Sequence, residues 1–198
     1  MRKTNEACAE TRGTIVNKMA TIRRIAFLGM FSAISIILVY MLHIPLFPMA
    51  SFLEYDMADV PIILATFLYG PTAGLLMTVV VSVVQGLTVS AQSGLIGILM
   101  HIFATGCYVL VAGNLYRRHK TVKGELAALS AGAGTMIVAM ILWNMLLTPI
   151  FMGAPFEAVM KLMIPAIIPF NIIKAGVNSV IAYFVFKIVQ RIMKQIKA

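Results

Sequence analysis

The sequence has few charged residues and very few acidic ones. Only 12% of its 198 residues are charged, compared with ~25% in an average soluble domain, and Asp and Glu together number seven. Hydrophobic residues make up 61%, and the mean hydropathy is +0.95. This composition excludes a soluble globular domain and predicts an integral membrane protein with no room for a second, soluble domain.

Cysteine is scarce, and the motifs of several enzyme classes are missing. Cys8 and Cys107 are the two cysteines, and neither a disulfide framework nor a thiolate metal site follows from them. No GxxxxGK[ST] motif occurs, so the chain is not expected to hydrolyse ATP. His101 has no second histidine or carboxylate spaced to join it, and we predict no metal site. No nucleophile has a neighbouring base, and we predict that the chain is not an enzyme.

Basic residues outnumber acidic ones by 16 to 7, and most of them are clustered. The clusters, in residues 2–24, 117–123 and 187–197, flank apolar runs. This is the positive-inside pattern of membrane proteins, not a nucleic-acid-binding stripe, and it predicts cytoplasmic termini. We expect residues 1–24 to form a cytoplasmic polar leader, without a convincing cleavage site after it, and residues 25–198 to form a single six-helix membrane domain.

The apolar runs predict an all-α integral membrane protein with six transmembrane helices. Starting and ending in the cytoplasm requires an even number of crossings, and breaks at GPTAG (70–74) and SAQSG (90–94) divide the central apolar region. The second helix is too short to cross a ~30 Å hydrocarbon core unaided. A short outer loop is expected at residues 153–161. The predicted spans are residues 25–44, 58–69, 72–90, 94–116, 125–148 and 162–186.

A lysine lies in the middle of the sixth apolar run. An unpaired charge at this depth costs about 3 kcal/mol or more, so Lys174 should face a partner or a cavity. On a helix, Asn171, Lys174 and Asn178 share one face, which predicts a polar site. Pro165 and Pro169 lie one turn apart just before this face and predict a kinked or open entrance. The alternative is that Lys174 snorkels to the membrane interface.

Other polar side chains fall in the outer halves of the predicted spans. Asn144 and Thr148 lie one turn apart near the outer end of the fifth span, whereas the inner halves are largely apolar. This gradient predicts a pocket that is open to the outside and closed below. The acidic, proline-rich segment 45–58 should form an outer lid over it. Further candidate lining groups are Tyr55, Gln85, Thr88, His101, Thr105, Tyr108, Trp143 and Phe170.

The first span carries a stripe of small residues. Ala26, Gly29 and Ala33 share one helix face, on which another helix can pack closely. The partner is either a neighbouring helix of the same chain or a helix of another subunit.

Several segments together resemble a known family. The short second span preceded by SFLEYDMADVP, the following LATFLYGPTAGLL, the WN of the fifth span and the PFNIIKAGV of the sixth are similar to the riboflavin-specific S components of energy-coupling factor (ECF) transporters. The similarity runs from about residue 24 onward. The loop sequence DMADVP is a conservative variant of the family's loop.

The resemblance implies a subunit of the cell membrane that captures riboflavin from outside. Delivery would require a transmembrane coupling subunit (EcfT type) and two cytoplasmic ATPases (EcfA type), and no cofactor. By position, Asn144, Asn171 and Lys174 resemble the groups that hydrogen-bond the flavin ring, and Asp59 resembles a contact of the ribityl chain. The predicted substrate-binding residues are Asp59, Asn144, Thr148, Asn171, Lys174 and Asn178, and the predicted coupling-subunit docking residues are Ala26, Gly29 and Ala33.

Two alternatives remain open from the sequence. The same architecture could carry another vitamin, such as thiamine or folate, or the phosphorylated flavin FMN. A different class would be an intramembrane enzyme acting on a lipid or isoprenoid, with Lys174 as a base or Schiff-base former, although no catalytic acid lies beside it.

Overall fold

The computed structural model describes residues 2–50 and 52–197, and it describes side chains for residues 18–48, 50, 52–91 and 93–195. This part of the chain is almost entirely helical, which confirms the all-α prediction apart from one short hairpin. The helices are α1 (Arg2–Met41), α2 (Asp59–Tyr69), α3 (Pro71–Leu87), α4 (Gly94–Arg118), α5 (Val122–Met152), α6 (Phe156–Leu162) and α7 (Ile168–Lys197).

Four stretches among the described residues are long and apolar enough to cross a bilayer: Lys18–Met41, Gly94–Arg118, Val122–Met152 and Phe156–Gln195. The predicted second and third spans correspond to the shorter apolar helices α2 and α3. Large apolar side chains such as Leu76, Leu146, Ile164 and Phe184 are exposed on the outside of the bundle. Exposed apolar groups in this number are typical of a multi-pass membrane protein, whose outer surface faces lipid.

The segment between α1 and α2 has a defined fold. Strand β1 (Ile44–Pro45) pairs antiparallel with β2 (Glu54–Tyr55), with a 3₁₀ turn at Pro48–Ala50 between them. Leu53 and Phe170 belong to one buried apolar cluster that joins this hairpin to α6 and α7. The hairpin is therefore packed onto the helices rather than extended away from them.

Among the described residues, Gly70, Gly94 and Gly153 have positive φ, and all three lie at helix boundaries. Gly70, with φ of 96°, separates α2 from α3, and Pro71 begins α3, where its missing N–H costs no helical hydrogen bond. Gly153, with φ of 59°, ends α5 in the left-handed conformation that glycine adopts without strain.

The prolines before Lys174 change the helix type. A π-helical segment, Met163–Ile167, joins α6 to α7. Pro165 and Pro169 lack the N–H groups that an α-helix requires, so the irregularity expected there is confirmed. The predicted outer loop over residues 153–161 is wrong in its length, because only residues 153–155 are non-helical and α6 begins at Phe156. Because the π-helical segment joins α6 directly to α7, the chain is continuously helical from residue 156 to residue 197.

Helix α4 packs between α3 and α5. A Cβ atom placed on Gly132 of α5 would lie 2.9 Å from Ala112 Cβ and 3.1 Å from Tyr108 Cε1, both on α4. Such an approach is possible only for glycine. Small residues of this kind allow close helix packing within a membrane, where the hydrophobic effect contributes little between helices.

Candidate functional site

A cavity lies between the hairpin and helices α3, α4, α5 and α7. Its empty space is about 880 Å³, including the open mouth. Phe52 of the hairpin, Met136 and Met140 of α5 and Phe170 of α7 contribute apolar walls. An apolar cavity with a few polar groups is typical of small-molecule binding sites. The polar lining residues are Glu54, Asp56, Ser82, Gln85, Ser90, Ser93, His101, Asn144, Thr148 and Lys174.

Lys174 forms a buried ion pair at this cavity. Its Nζ lies 2.9 Å from Asp56 Oδ2, and Lys174 is only 7% exposed. The prediction that Lys174 faces a partner or a cavity is confirmed, since it has both, and the snorkelling alternative is wrong. Burial by itself raises the pKa of the Asp56 carboxyl. The Lys174 ammonium and hydrogen bonds from Lys174 and the Ala58 amide outweigh burial and hold this pKa well below its usual value.

Asn178 joins the end of the hairpin segment to α7. Its Nδ2 donates to the Asp56 carbonyl oxygen (3.2 Å) and to Asp59 Oδ2 (3.1 Å), and its Oδ1 accepts from the Tyr55 hydroxyl (3.0 Å). Thr105 of α4 donates to the other oxygen of Asp59 at 2.8 Å. Asp59 and Asn178, both predicted as substrate-binding residues, therefore lie in the polar layer behind the cavity wall and are not among the residues that line it.

Asn144 and Thr148 line the cavity from α5. The Thr148 hydroxyl donates to Asn144 Oδ1 at 2.9 Å, and Asn144 Nδ2 donates to the Met140 carbonyl oxygen at 2.8 Å. Within the described contacts, one hydrogen of Asn144 Nδ2 and the lone pairs of the Thr148 oxygen stay available to a ligand.

Asn171 is buried but is not among the lining residues. Its Nδ2 donates to the Ile167 carbonyl oxygen at 2.8 Å, one turn back along the chain at the π segment. Its Oδ1 is buried and has no hydrogen-bond partner among the described residues. The structure therefore separates Asn171 from Asn144, Thr148 and Lys174, which share the cavity.

His101 lines the cavity and has a carboxylate neighbour that the sequence analysis did not foresee. Its Nε2 lies 3.6 Å from Asp59 Oδ1, and its Nδ1 lies 2.7 Å from Ser82 Oγ. The expectation that no carboxylate joins His101 is wrong, because α2 supplies one from a distant part of the sequence. Three potential metal ligands do not come together anywhere in the described part of the chain.

Sequence reasoning missed Asp56 as the partner of Lys174. The available signal was an acidic residue three positions before Asp59, next to a span, together with a buried lysine that needs a counter-charge. The aromatic wall is also different from the expected one. Phe170 lines the cavity, but Trp143 packs against Phe103 with ring centroids 4.5 Å apart, and Tyr55 lies in the layer behind.

The small-residue stripe on α1 is not covered by another helix of the described chain. Ala26, Gly29 and Ala33 are all exposed. A Cβ atom on Gly29 would meet no other atom within 4 Å. The alternative that this stripe packs against a helix of the same chain is therefore wrong.

Comparison with known proteins decides the family. The model of the ECF transporter substrate-specific component matches residues 23–186. The chain belongs to this family. As an ECF S component it is a subunit of a transporter and not an enzyme, so the intramembrane-enzyme alternative is excluded.

Relatives of this S component include the riboflavin transporter FmnP of Bacillus subtilis, 27% identical over 83% of this chain and 90% of the relative. The riboflavin transporter RibU of Staphylococcus aureus is 29% identical over 88% of this chain and 94% of its own length. A solved structure described as the S component of a bacterial ECF transporter superposes with a TM-score of 0.74 at 25% identity, covering 88% of this chain and 99% of that one.

Proposed function

We propose that this S component binds riboflavin in the cavity beside Lys174. The observation that carries the proposal is the placement of Lys174, Asn144 and Thr148 around a single cavity in the apolar bundle. The relatives named above are riboflavin transporters, which supports the choice of ligand.

The cavity suits the two halves of riboflavin. The flavin ring is broad and apolar, with carbonyl and ring-nitrogen acceptors along one edge. Met136, Met140 and Phe170 offer apolar surface to the ring, and the ammonium of Lys174 and the amide of Asn144 offer donors to its edge. The ribityl hydroxyls need acceptors, and both Glu54 of the hairpin and the buried Oε1 of Gln85 on α3 are acceptors among the lining residues. Losing one buried partner costs about 1–3 kcal/mol, or about five- to over a hundredfold in affinity.

The charges around the cavity favour riboflavin over FMN. Glu54 and Asp56 are acidic and Lys174 is basic, so the charged lining residues sum to −1 when all three are ionised. A phosphate dianion entering this space would meet net repulsion, because Lys174 already pairs with Asp56 and any positive charge on His101 is balanced by Asp59, 3.6 Å from its ring. The relatives named above are riboflavin transporters, and they give no support to thiamine or folate as the ligand.

The proposal includes a definite topology in the cell membrane. Six crossings place both termini in the cytoplasm, with residues 1–24 as a leader and residues 25–198 as the membrane domain, and the cavity then opens outward. The short helix α2 is accommodated because all residues from Asp59 to Phe67 are buried in protein and need not span the lipid alone.

Delivery of the vitamin requires further subunits in this proposal. A transmembrane EcfT-type subunit docks on the exposed stripe of Ala26, Gly29 and Ala33, and two EcfA-type ATPases supply the energy. The stripe suits a helix partner because small residues let two backbones approach closely.

The hairpin segment 45–58 acts as the lid of the cavity. Its residues Phe52, Glu54 and Asp56 form one wall, and the Phe52 ring lies 6.1 Å from the Phe151 ring at the end of α5. A crosslink between cysteines placed at these two positions, in a chain whose native cysteines are replaced, should block uptake while bound riboflavin is retained. Unchanged uptake would contradict the lid.

The direct test of the proposal is spectroscopic. The detergent-purified protein should carry or take up yellow flavin, and riboflavin fluorescence should be quenched saturably on titration. FMN should bind at least about tenfold more weakly, because of the repulsion described above. A folded protein that quenches neither flavin, or that prefers thiamine or folate, would refute the proposal.

A further inference from the structure

Four ionisable side chains lie together at the cavity, where Asp56, His101 and Lys174 line it and Asp59 lies behind its wall, and their charges do not balance. Asp56 and Asp59 are each 2% exposed, Lys174 is 7% exposed, and the side chain of His101 is 13% exposed. Two carboxylates and one ammonium leave a net charge of −1 if the imidazole is neutral. An uncompensated charge buried within a membrane domain is costly, and one additional proton removes it.

Hydrogen-bond geometry determines which ring nitrogen of His101 carries a hydrogen. The Ser82 hydroxyl has a single hydrogen and donates it to the Thr78 carbonyl oxygen at 2.6 Å, since a carbonyl can only accept. Ser82 Oγ therefore accepts from His101 Nδ1, which lies 2.7 Å away and must carry a hydrogen. A neutral imidazole in this tautomer has a bare lone pair at Nε2.

The bare nitrogen faces another acceptor. His101 Nε2 lies 3.6 Å from Asp59 Oδ1, which already accepts from the Thr105 hydroxyl. Nε2 is buried and has no hydrogen-bond partner among the residues described. Two acceptors that face each other without a hydrogen between them repel, and a proton held between them turns the repulsion into a charge-assisted contact.

The geometry assigns a proton-binding site to the His101–Asp59 pair, and we infer that riboflavin binding is linked to occupancy of this site by one proton. The linkage rests on the proposed function; the proton site does not. His101 lines the cavity, and Asp59 accepts from Asn178, which also holds the end of the lid segment through the Asp56 carbonyl. Loss of the proton pushes Asp59 away from His101 and loosens the lid, so affinity should fall as pH rises.

The other titratable groups around the pair are already satisfied. Lys174 and Asp56 pair with each other, and the lowered pKa of Asp56 keeps that carboxylate ionised near neutral pH. The hydroxyls of Tyr55 and Tyr108 are bonded to Asn178 and Ser179. The extra proton is therefore assigned to His101 and Asp59.

The test is the pH dependence of riboflavin affinity for the full-length protein, measured by fluorescence titration from about pH 5 to about pH 9. Affinity should fall as pH rises, with a slope that approaches about tenfold per pH unit, as one linked proton requires. Calorimetry in two buffers with different heats of ionisation should detect proton uptake on binding. His101→Gln, which keeps a neutral donor towards Asp59, should abolish both effects.

The chain has three histidines, which supplies a matched control. His119→Gln, at the exposed cytoplasmic-side end of α4, should keep the wild-type slope. His43 is the other histidine that could cause a pH-dependent affinity, because its Nε2 lies 2.7 Å from Glu54 Oε2 on the lid. A slope that disappears in His43→Gln and persists in His101→Gln would overturn the inference, as would a flat wild-type profile without proton uptake.

Two further experiments cover the cases in which His101→Gln does not fold or riboflavin does not bind. If His101→Gln does not fold, Asp59→Asn replaces a carboxylate by an amide that can donate to Nε2, and its profile should also be flat. If riboflavin binds at no pH, the proposed function fails and the proton site is judged on the ligand-free protein. The wild type should then be thermally more stable than His101→Gln, and this difference in stability should shrink as pH rises. A difference that does not change with pH would refute the proton-binding site.

Discussion

Helix α7 carries two lysines that each pair with a buried carboxylate, in different surroundings; Lys174 is itself buried, whereas the Lys187 side chain is 24% exposed. Lys174 Nζ lies 2.9 Å from Asp56, and Lys187 Nζ lies 2.7 Å from Glu125 at the first turn of α5. The carboxylate is 2% exposed in both pairs. The first pair borders a cavity with further polar groups, and neither member of the second pair is among the residues that line it.

Aromatic packing distinguishes the Lys187 end. Its Nζ lies 5.2 Å from the centre of the Tyr183 ring, and the Phe67 ring packs on Tyr116 and Phe186 with centroids 4.5 and 5.2 Å apart. Aromatic rings therefore pack at this end, whereas the Lys174 pair borders a cavity. An ion pair with a buried carboxylate therefore does not by itself mark a binding site; the space and the additional polar groups beside it do.

The largest effect should come from removing each lysine in turn. Lys174→Met removes a cavity donor and leaves Asp56 buried without its counter-charge, so riboflavin affinity should fall roughly a hundredfold or more. Lys187→Met should lower thermal stability and change affinity by less than about threefold. Fluorescence titration and thermal unfolding of both variants measure the contrast; equal losses of affinity would remove the distinction between the pairs.

A double variant separates stability from binding in that experiment. Adding Asp56→Asn to Lys174→Met removes the stranded carboxylate, so much of the lost thermal stability should return. Riboflavin affinity should stay low because the ammonium is still missing. Recovery of affinity in the double variant would show that Lys174 acts only through folding.

A packing change between the two pairs tests whether affinity merely follows stability. Gly132→Ala forces its new methyl group against Ala112 and Tyr108 and should destabilise the protein by about 1–3 kcal/mol. Gly134→Ala, two residues along α5, meets nothing within 4 Å and should be neutral or stabilising by up to about 1 kcal/mol. Thermal unfolding measures this difference. At a temperature where both variants are folded, their riboflavin affinities should agree.

Acid should weaken the Lys174 pair in a predictable direction. Asp56 has a folded-state pKa below its unfolded value of about 3.9, so its contribution to stability is complete above that value and is lost as pH falls towards the folded pKa. The unfolding midpoint of the wild type should therefore drop on acidification by more than that of Asp56→Asn. Parallel curves for the two proteins would contradict the pair's role.

The smallest effect concerns one hydroxyl. Thr148→Val keeps the shape of the side chain but removes the donor to Asn144 Oδ1 at the cavity, so riboflavin affinity should fall about two- to tenfold. Thr135→Val is the matched control on α5, because the Thr135 hydroxyl donates only to its own helix, at the Ala131 carbonyl oxygen, and does not line the cavity. Equal affinities for the two variants would exclude Thr148 from the site.

Much of the helical layout could be predicted from hydropathy and from helix-breaking residues. Gly70 and Pro71 mark the boundary between α2 and α3. The breaks expected at residues 90–94 and between residues 116 and 125 lie close to the observed gaps between α3 and α4 and between α4 and α5. The segment before Lys174 was harder to predict. Pro165 and Pro169 signal irregularity, but whether a helix breaks or widens into a π turn depends on its packing against the hairpin.

The site was predictable only in part, because its groups meet through tertiary contacts. Helix periodicity correctly placed Asn144 and Thr148 together, and the cost of burying Lys174 correctly required a partner or cavity. Periodicity cannot show that Asp56 would be that partner, or that Asp59 would turn towards His101, since these residues lie on separate elements. Whether the predicted binding residues contact riboflavin stays a prediction.

A structure of the protein with bound riboflavin would show whether the vitamin occupies the space beside the Lys174 ammonium. We expect the flavin ring between the lid segment and α5, with an acceptor within about 3 Å of Lys174 Nζ. A flavin bound elsewhere, or a Lys174 side chain that points into lipid with no cavity beside it, would refute the proposed binding site.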